Sequence, residues 1–464
     1  ITPVTNAANE ANDEHRVVGM LREIVGPGHV LTATELVAPY ATDWTRRFSG
    51  PCLAVVRPGS TAEVARVVAA CAEASIAMLP QGGNTGLVGG GVPATHPGPI
   101  GLPVIVSLRR LSHISEVDQL SGQLTAGAGA LLGDVQRHAA AAGWMYGVDL
   151  AARDSASIGG TVATNAGGIH VIAHGMTRAQ LTGIEAVMPD GSVVSHLEGL
   201  LKDNTGYDLA ALLCGSEGTL GIITAVRLRL HRPPGRTSVA LIGSPSYASA
   251  LALMASATSP VLAAEVIDET GMDLAGTVAG LAWPLAERWP LVVLLELIDG
   301  GDGSGFETLL DDEADAVVAL DAAERARLWE YRERQSEAFS SLGIVHKMDV
   351  SVPLASLAQC ADELRSVVDG FDDVTVFGVF GHLADGNIHV EIAGPAADDT
   401  RVDHAILACV AGYGGSISAE HGVGRAKAGE LHLCRAASEI AAMRAIKRAL
   451  DPAGIMNPGV LFES

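Results

Sequence analysis

Four glycine-rich segments, at 82–91, 127–133, 159–168 and 215–221, crowd into one stretch of the chain, each beside a β-like run such as Val104–Leu108 or Ile222–Leu230. Glycine accepts positive φ and lets backbone N–H groups converge on an anion, so loops of this kind bring main chain close to a ligand or make a tight turn. Glycine is frequent, 54 of 464 residues, but has no Gly-X-Y period, which excludes a collagen-like fold. Pro80-Gln-Gly-Gly-Asn-Thr-Gly86 is not a Walker A loop, because no Gly-Lys-Ser/Thr follows. Gly127-Ala-Gly-Ala-Leu-Leu-Gly133 has the spacing G-x-G-x-x-x-G with no acidic residue in the usual place after it, which argues against a Rossmann NAD site. Four such loops exceed what one phosphate needs and fit an extended dinucleotide lying across a domain.

The rest of the chain alternates strand and helix patterns. Cys52–Val56 reads as a buried strand and Glu63–Ala74 as a helix capped by Ser60-Thr61. His231-Arg-Pro-Pro-Gly-Arg236 is a break, and we place a domain boundary there. This gives a first domain over 1–235, a second over 236–434 and a C-terminal segment, 435–464, packing back on the first. In the second domain, Leu291–Ile298 and Val374–Val379 read as strands, and Phe306–Ala326 and Leu354–Val368 as helices.

The formal net charge is −23, which disfavours nucleic acid and anionic membrane surfaces as partners. Six cysteines, with no C-x-x-C pair, point to scattered thiols in a reducing compartment. No run of 18 apolar residues marks a transmembrane helix, and the polar opening Ile1–Asn12 has no secretory h-region.

The sharpest local signal is Gly381-His-Leu-Ala-Asp-Gly-Asn-Ile-His389. With Asp385-Gly386 as a two-residue turn, His382 and His389 stand directly opposite on one face, their Cβ atoms ~5 Å apart. That spacing suits a shared divalent ion or a plain polar pair on a hairpin. Ser418-Ala-Glu-His-Gly-Val-Gly424 supplies a carboxylate, Glu420, and an imidazole, His421, aimed to opposite sides of an extended segment. A His₂Glu set with an open position is of the catalytic type.

Arg332 and Ser336 are four apart on a helical stretch and share a face. Lys347, one of only four lysines, sits in the alternating run His346–Val352. An arginine and a lysine suit a carboxylate ligand, or a salt-bridged face in which Asp349 neutralises Lys347.

With these residues in view, the chain resembles the FAD-dependent D-2-hydroxy-acid dehydrogenases, whose FAD domain is of the vanillyl-alcohol-oxidase/para-cresol-methylhydroxylase type. The segments that carry the resemblance are PQGGNTGLVGG (80–90), SIGGTVATNAGG (157–168), KDNTGYDL (202–209), GSEGTLGIIT (215–224), GHLADGNIHV (381–390) and SAEHGVG (418–424). KDNTGYDL and HKMDVSVP are more similar to the family's hydroxyglutarate-oxidising members than to its D-lactate members. The resemblance implies an α+β fold, with an FAD-binding domain and an α/β substrate domain. It implies non-covalent FAD on Pro80, Gln81, Gly82, Gly83, Asn84, Thr85 and Gly86, on Gly147, and on Ser157, Gly159, Gly160, Thr161, Ala163, Asn165, Gly167 and Gly168. Glu217, Gly218, Gly221, Ile222 and Asn457 complete that set. It implies zinc, manganese or cobalt on His382, His389 and Glu420, with His421 as catalytic base. Arg332, Ser336, Lys347 and Asn387 match substrate contacts, Ser336 standing where the family pattern has Thr. The implied reaction oxidises a D-2-hydroxy acid to the 2-oxo acid by hydride transfer from C2 to flavin N5, D-2-hydroxyglutarate first and D-lactate, D-malate or D-mandelate as the alternatives, with electrons passing to an electron-transfer flavoprotein or a quinone rather than NAD. A homodimer, in bacterial cytoplasm or the mitochondrial matrix, completes the expectation. A metal-dependent hydrolase with the same His₂Glu set, or a flavin-binding module without catalysis, are the readings from other classes.

Overall fold

The computed structural model describes residues 5–96, 98 and 101–463. The polar opening read above falls partly on residues 1–4, outside the described residues, and partly on the start of a helix, Thr5–Val25.

Two small sheets form the N-terminal part. The first has the order β1-β2-β4-β3: β1 (Val30–Leu31), β2 (Ala54–Val56), β3 (Met78–Gln81) and β4 (Val104–Ser107), with β2 and β3 parallel to β4. The helix expected after Ser60 runs Thr61–Glu73, and Ser60 Oγ accepts the Glu63 N–H at 3.2 Å. The second sheet is antiparallel, in the order β5-β8-β6-β7: β5 (Gln123–Gly127), β6 (Leu181–Val187), β7 (Val193–His196) and β8 (Ile222–Arg229). The antiparallel pairing of β5, which ends at Gly127, is incompatible with the parallel βαβ unit of a Rossmann site. One apolar core joins both sheets and includes Val56, Val106, Leu124, Val226, Ile455 and Met456. The C-terminal residues enter it beside β3, where Met78 N–H donates to Ile455 O at 2.7 Å.

Residues beyond 236 build an antiparallel seven-stranded sheet. Its strands are β9 (Thr237–Ser244), β10 (Val261–Asp268), β11 (Leu291–Ile298), β12 (Ala316–Ala319), β13 (Val345–Ser351), β14 (Val376–His382) and β15 (Asn387–Ala393), in the order β12-β9-β11-β10-β14-β15-β13. Side chains alternate across a strand, and here the alternation separates two environments. Val266, Met348, Val350, Val379, Ile388 and Val390 face the helices Leu354–Val368 and Arg401–Gly412 and form a dry core with them. The residues between them, Glu265, Lys347, Asp349, Phe380, His382, Asn387, His389 and Glu391, project from the opposite face and are also buried. A buried face so rich in charge marks a site rather than a core.

The helix expected over Phe306–Ala326 is three elements: a helix Ser304–Leu309, the edge strand β12 and a helix Ala322–Glu333. Asp311-Asp312-Glu313 is the reason for the first break, since three acids would crowd a helix C-terminus whose dipole repels them. Val317 and Val318 then favour a pleated edge. The strand expected at Val374–Val379 starts at Val376 and extends to His382.

Candidate active site

The hairpin of β14 and β15 sets the histidines. His382 pairs with Asn387 and Phe380 with His389, so the turn is Leu383–Gly386, with Gly386 at φ +76°. The two-residue turn and the directly opposed histidines are thus corrected. Asp385 accepts the Asn387 N–H at 3.0 Å, which favours the longer turn. The register differs from the expected one by two residues, an even number, so both imidazoles keep the same face. They lie diagonally, edge to face, with ring centroids 5.5 Å apart.

The loop Ser418–Gly424 lies against them. Glu420 Oε1 is 3.2 Å from His382 Nε2 and 3.6 Å from His389 Nε2. Ligands ~2.0–2.1 Å from a tetrahedral zinc are about 3.3 Å apart, so the two separations from Glu420 are of the length a shared divalent ion needs. The His421 ring stacks on His389 at 5.2 Å, and Nδ1 of both is buried without a hydrogen-bond partner. Asp349, His389, Glu420 and His421 each offer a ligand atom within 4.8 Å of the others. Asp349 is nonetheless committed elsewhere: its Oδ2 accepts the N–H groups of Ala419, Glu420 and His421 at 2.8–3.1 Å.

Behind the histidines stands Glu265, directly across from His382 in the sheet. One carboxylate oxygen pairs with His382 Nδ1 at 2.8 Å and the other with Arg332 Nε at 2.6 Å. A carboxylate on the far nitrogen orients the ring and turns Nε2 toward Glu420, where a cation would replace its proton. Burial opposes charge on His382, but Glu265 and Glu420 outweigh it and raise the imidazole to about 10. The cluster therefore demands a positive charge at this point. Burial and the neighbouring His421 instead push His389 far down, so it is neutral and one ring nitrogen has its lone pair available.

Arg332 lies over the Phe380 ring at 4.8 Å and lines the cleft together with Ser336. The helix read through both residues is in fact two, Ala322–Glu333 and Gln335–Ser340, meeting at Arg334. Arg334 keeps helical angles, so Arg332 and Ser336 still face one way. Among the described hydrogen bonds, only Nε of Arg332 is taken, which leaves its terminal nitrogens open. Lys347 is not brought to the cleft wall. It pairs with Glu391, its cross-strand neighbour, at 2.6 Å, and not with Asp349. Asn387 is likewise held back, donating to Asp349 and to Val350 O at 2.8 Å each.

The glycine loops form the other wall of the same cleft, which encloses about 1830 Å³ including its open mouth. Pro80–Gly86, Ser157, Gly159, Gly160, Thr161, Ala163, Gly168, Glu217, Gly218 and Gly221 all line it. Two glycines exist for close approach: a Cβ on Gly82 would meet Ser157 Oγ at 2.0 Å, and one on Gly83 would meet Ser155 O at 2.0 Å. Arg109 holds the Gly82 and Gly83 carbonyls, at 3.2 and 2.9 Å. Gly147, Asn165, Gly167, Ile222 and Asn457 are not on the cleft wall. Gly147 packs on His174 and Gln180, and Asn165 caps a helix in the left-handed region, φ +51°. Gly167 makes room for Glu420, and Asn457 donates to Gly90 O and Glu217 O. Glu217 reaches the cleft, but its carboxylate accepts the Val423 and Gly424 N–H groups, at 2.8 Å each. The KDNTGYDL segment is an exposed bend away from the cleft, with Tyr207 95 % exposed.

Glu265, Asp349 and Glu391 escaped sequence reasoning as parts of the site. A lone acid inside the apolar run Val261–Ile267 was the available signal for the first.

Comparison with known proteins decides the family. A family described as "FAD binding domain" matches residues 52–196, and one described as "FAD linked oxidases, C-terminal domain" matches 233–461. The chain is 37 % identical over 452 residues to mitochondrial D-2-hydroxyglutarate dehydrogenase of Bos taurus, covering 94 % of this chain and 81 % of that one. The chain belongs to the FAD-linked D-2-hydroxy-acid dehydrogenases. This dehydrogenase is also 36 % identical to D-2-hydroxyglutarate dehydrogenase of Xanthomonas citri over 92 % of both chains. It is 34 % identical to a putative mitochondrial D-lactate dehydrogenase of Schizosaccharomyces pombe over 90 % of this chain and 83 % of that one. Among solved structures, p-cresol methylhydroxylase with substrate bound superposes with a TM-score of 0.73 at 16 % identity, over 97 % and 96 % of the two chains. That likeness places the dehydrogenase in the vanillyl-alcohol-oxidase/p-cresol-methylhydroxylase fold, with a mixed α/β second part. No described helix is long and apolar enough to cross a membrane.

Proposed function

We propose that the enzyme oxidises D-2-hydroxyglutarate to 2-oxoglutarate, using FAD and a divalent ion such as zinc. The observation that carries the reading is one shared cleft: glycine loops on one wall, the His382–His389–Glu420 cluster with His421 on the other, and Arg332 between. Bound FAD supplies a hydride acceptor, and a divalent ion held by His382, His389 and Glu420 lowers the pKa of a hydroxyl placed on it.

The chain's own residues do the rest. Arg332 offers its open guanidinium fork to a substrate carboxylate, a bidentate match. Glu265 fixes that fork through Nε. Ser336 adds a hydroxyl beside it. His421 takes the proton of the 2-hydroxyl at Nε2, the ring nitrogen not closed off by burial. Holding C2 in a near-attack position against the glycine-lined wall is worth roughly 7–11 kcal/mol of barrier. The hydroxyglutarate dehydrogenases among the relatives favour hydroxyglutarate over lactate, and so does a cleft with an arginine free for a second carboxylate.

The test is the visible spectrum of the purified protein, taken anaerobically. D-2-hydroxyglutarate should bleach a flavin band near ~450 nm, a chelator should stop the bleaching, and added zinc should restore it. Faster bleaching by D-lactate reassigns the substrate. A yellow protein that no 2-hydroxy acid bleaches, with zinc present, refutes the reading.

A further inference from the structure

The loop Ser418–Gly424 has no regular secondary structure, yet five of its amides end on two buried carboxylates. Asp349, from β13, accepts Ala419, Glu420 and His421 N–H on a single oxygen, Oδ2, at 3.1, 2.8 and 2.8 Å. Glu217, from the glycine segment at 215–221, accepts Val423 and Gly424 N–H, one on each oxygen, at 2.8 Å. The two acids are 0 % and 8 % exposed and come from opposite sides of the cleft. Successive N–H groups converging on an anion make a nest, and here the anion is the protein's own side chain.

The loop's sequence fits this arrangement. Gly422 sits at φ +87°, and a Cβ there would reach the Glu217 carboxylate at 2.9 Å. Gly424 sits at φ +55°, where a Cβ would strike Val88 O at 2.1 Å. Lys427, only 3 % exposed, follows the loop, donates to Asp349 O at 3.3 Å and supplies the counter-charge for both acids. The other oxygen of Asp349 is occupied as well, by Asn387 Nδ2 at 2.8 Å.

We propose that Asp349 and Glu217 are positioning residues. Together they clamp loop 418–424 through five backbone amides and so hold Glu420 and His421 at once against the histidine pair and the glycine-lined wall. This rests on the roles given above to Glu420 and His421. It removes Asp349 from the ligand set despite its proximity, because ligation through Oδ2 would release three amides. It also gives Glu217 a loop contact in place of a cofactor contact.

Residue-resolved hydrogen exchange on the FAD-bound wild type tests it without any variant. Amides 419–421, 423 and 424 should exchange at least 100-fold more slowly than those of an exposed bend such as 202–208. Exchange at the rate of that bend overturns the clamp. In Asp349→Asn, whichever way the new amide is turned, an NH₂ group faces either the three loop amides or Asn387. Exchange at 419–421 should then accelerate at least tenfold while 423 and 424 stay protected. Zinc binding should weaken about 10–100-fold, with flavin absorbance unchanged and kcat falling more than KM rises. Glu217→Gln should do the converse, releasing 423 and 424 first. Wild-type exchange at 419–421 or wild-type zinc affinity in Asp349→Asn refutes the proposal. If Asp349→Asn does not retain FAD, the wild-type and Glu217→Gln exchange patterns decide. Protected loop amides in a protein that no 2-hydroxy acid bleaches would leave the clamp standing and overturn only the proposed reaction.

Discussion

Glu265→Gln separates orientation of the metal site from mere stability. Glu265 is 1 % exposed and bonded on both oxygens, to Arg332 Nε at 2.6 Å and His382 Nδ1 at 2.8 Å. Neutralising it leaves the Arg332 guanidinium buried without its counter-ion, which costs about 3–5 kcal/mol. It also leaves the His382 tautomer undetermined, since a Gln amide can present its NH₂ to Nδ1. Loss of such a partner behind a ligating histidine weakens metal binding about 10–100-fold, or ~1.4–2.7 kcal/mol. The comparison variant is Glu391→Gln. It breaks the equally buried pair with Lys347, 2.6 Å, and should destabilise comparably, but Glu391 has no hydrogen bond to a histidine. Urea denaturation of the FAD-bound proteins reads the first quantity and competitive zinc titration the second. Zinc affinity within twofold of wild type in Glu265→Gln would refute the argument. So would equal zinc losses in both variants, because the effect would then be general loosening.

Two further outcomes follow from single contacts. His421→Ala should lower kcat by 10²–10⁴-fold with flavin content unchanged, measured by steady-state turnover per bound FAD; a near-wild-type rate removes it as base. Gly83→Ala should purify with little or no FAD, because its Cβ would sit 2.0 Å from the Ser155 carbonyl, a backbone atom that cannot swing aside; wild-type flavin absorbance would show that the loops can separate.

Legibility in the sequence followed locality. The strand Leu291–Ile298 and the helix Leu354–Val368 were readable to the residue, because each is a long run of one period bounded by breakers. The face shared by His382 and His389 was readable too, although the turn was not: parity survives an error of two in register. What failed needed a partner from elsewhere. Phe306–Ala326 carries helical spacing, but β12 exists because β9 offers an edge to pair with. Lys347 looked like a cation awaiting substrate, and its answer, Glu391, lies 44 residues away across the sheet. Asp349 was visible as a neighbour of Lys347. No local pattern could have shown that its oxygen would gather three amides from a loop 70 residues on.

The charges on the buried face bear on why a cation belongs there at all. Four carboxylates, Glu265, Asp349, Glu391 and Glu420, surround the cluster. Three basic side chains answer them, Arg332, Lys347 and Lys427. Glu217 adds a fifth, weaker burden, since burial raises it to about 7. With no ion bound, the remaining negative charge is met by a proton on His382, which is why that imidazole is raised to about 10 between Glu265 and Glu420. A divalent ion would displace that proton and bring one charge more. The difference matters for an anionic substrate. A carboxylate entering a face of balanced charge gains little, and one entering a face carrying an extra positive charge in a low dielectric is drawn to it. The metal's contribution to binding is thus separable from its contribution to chemistry. Isothermal titration of the 2-oxo acid product into FAD-bound protein should give tighter binding with zinc present than with zinc removed, although no redox step occurs. Equal affinities would mean that the added charge does not reach the carboxylate and that the ion acts only on the hydroxyl.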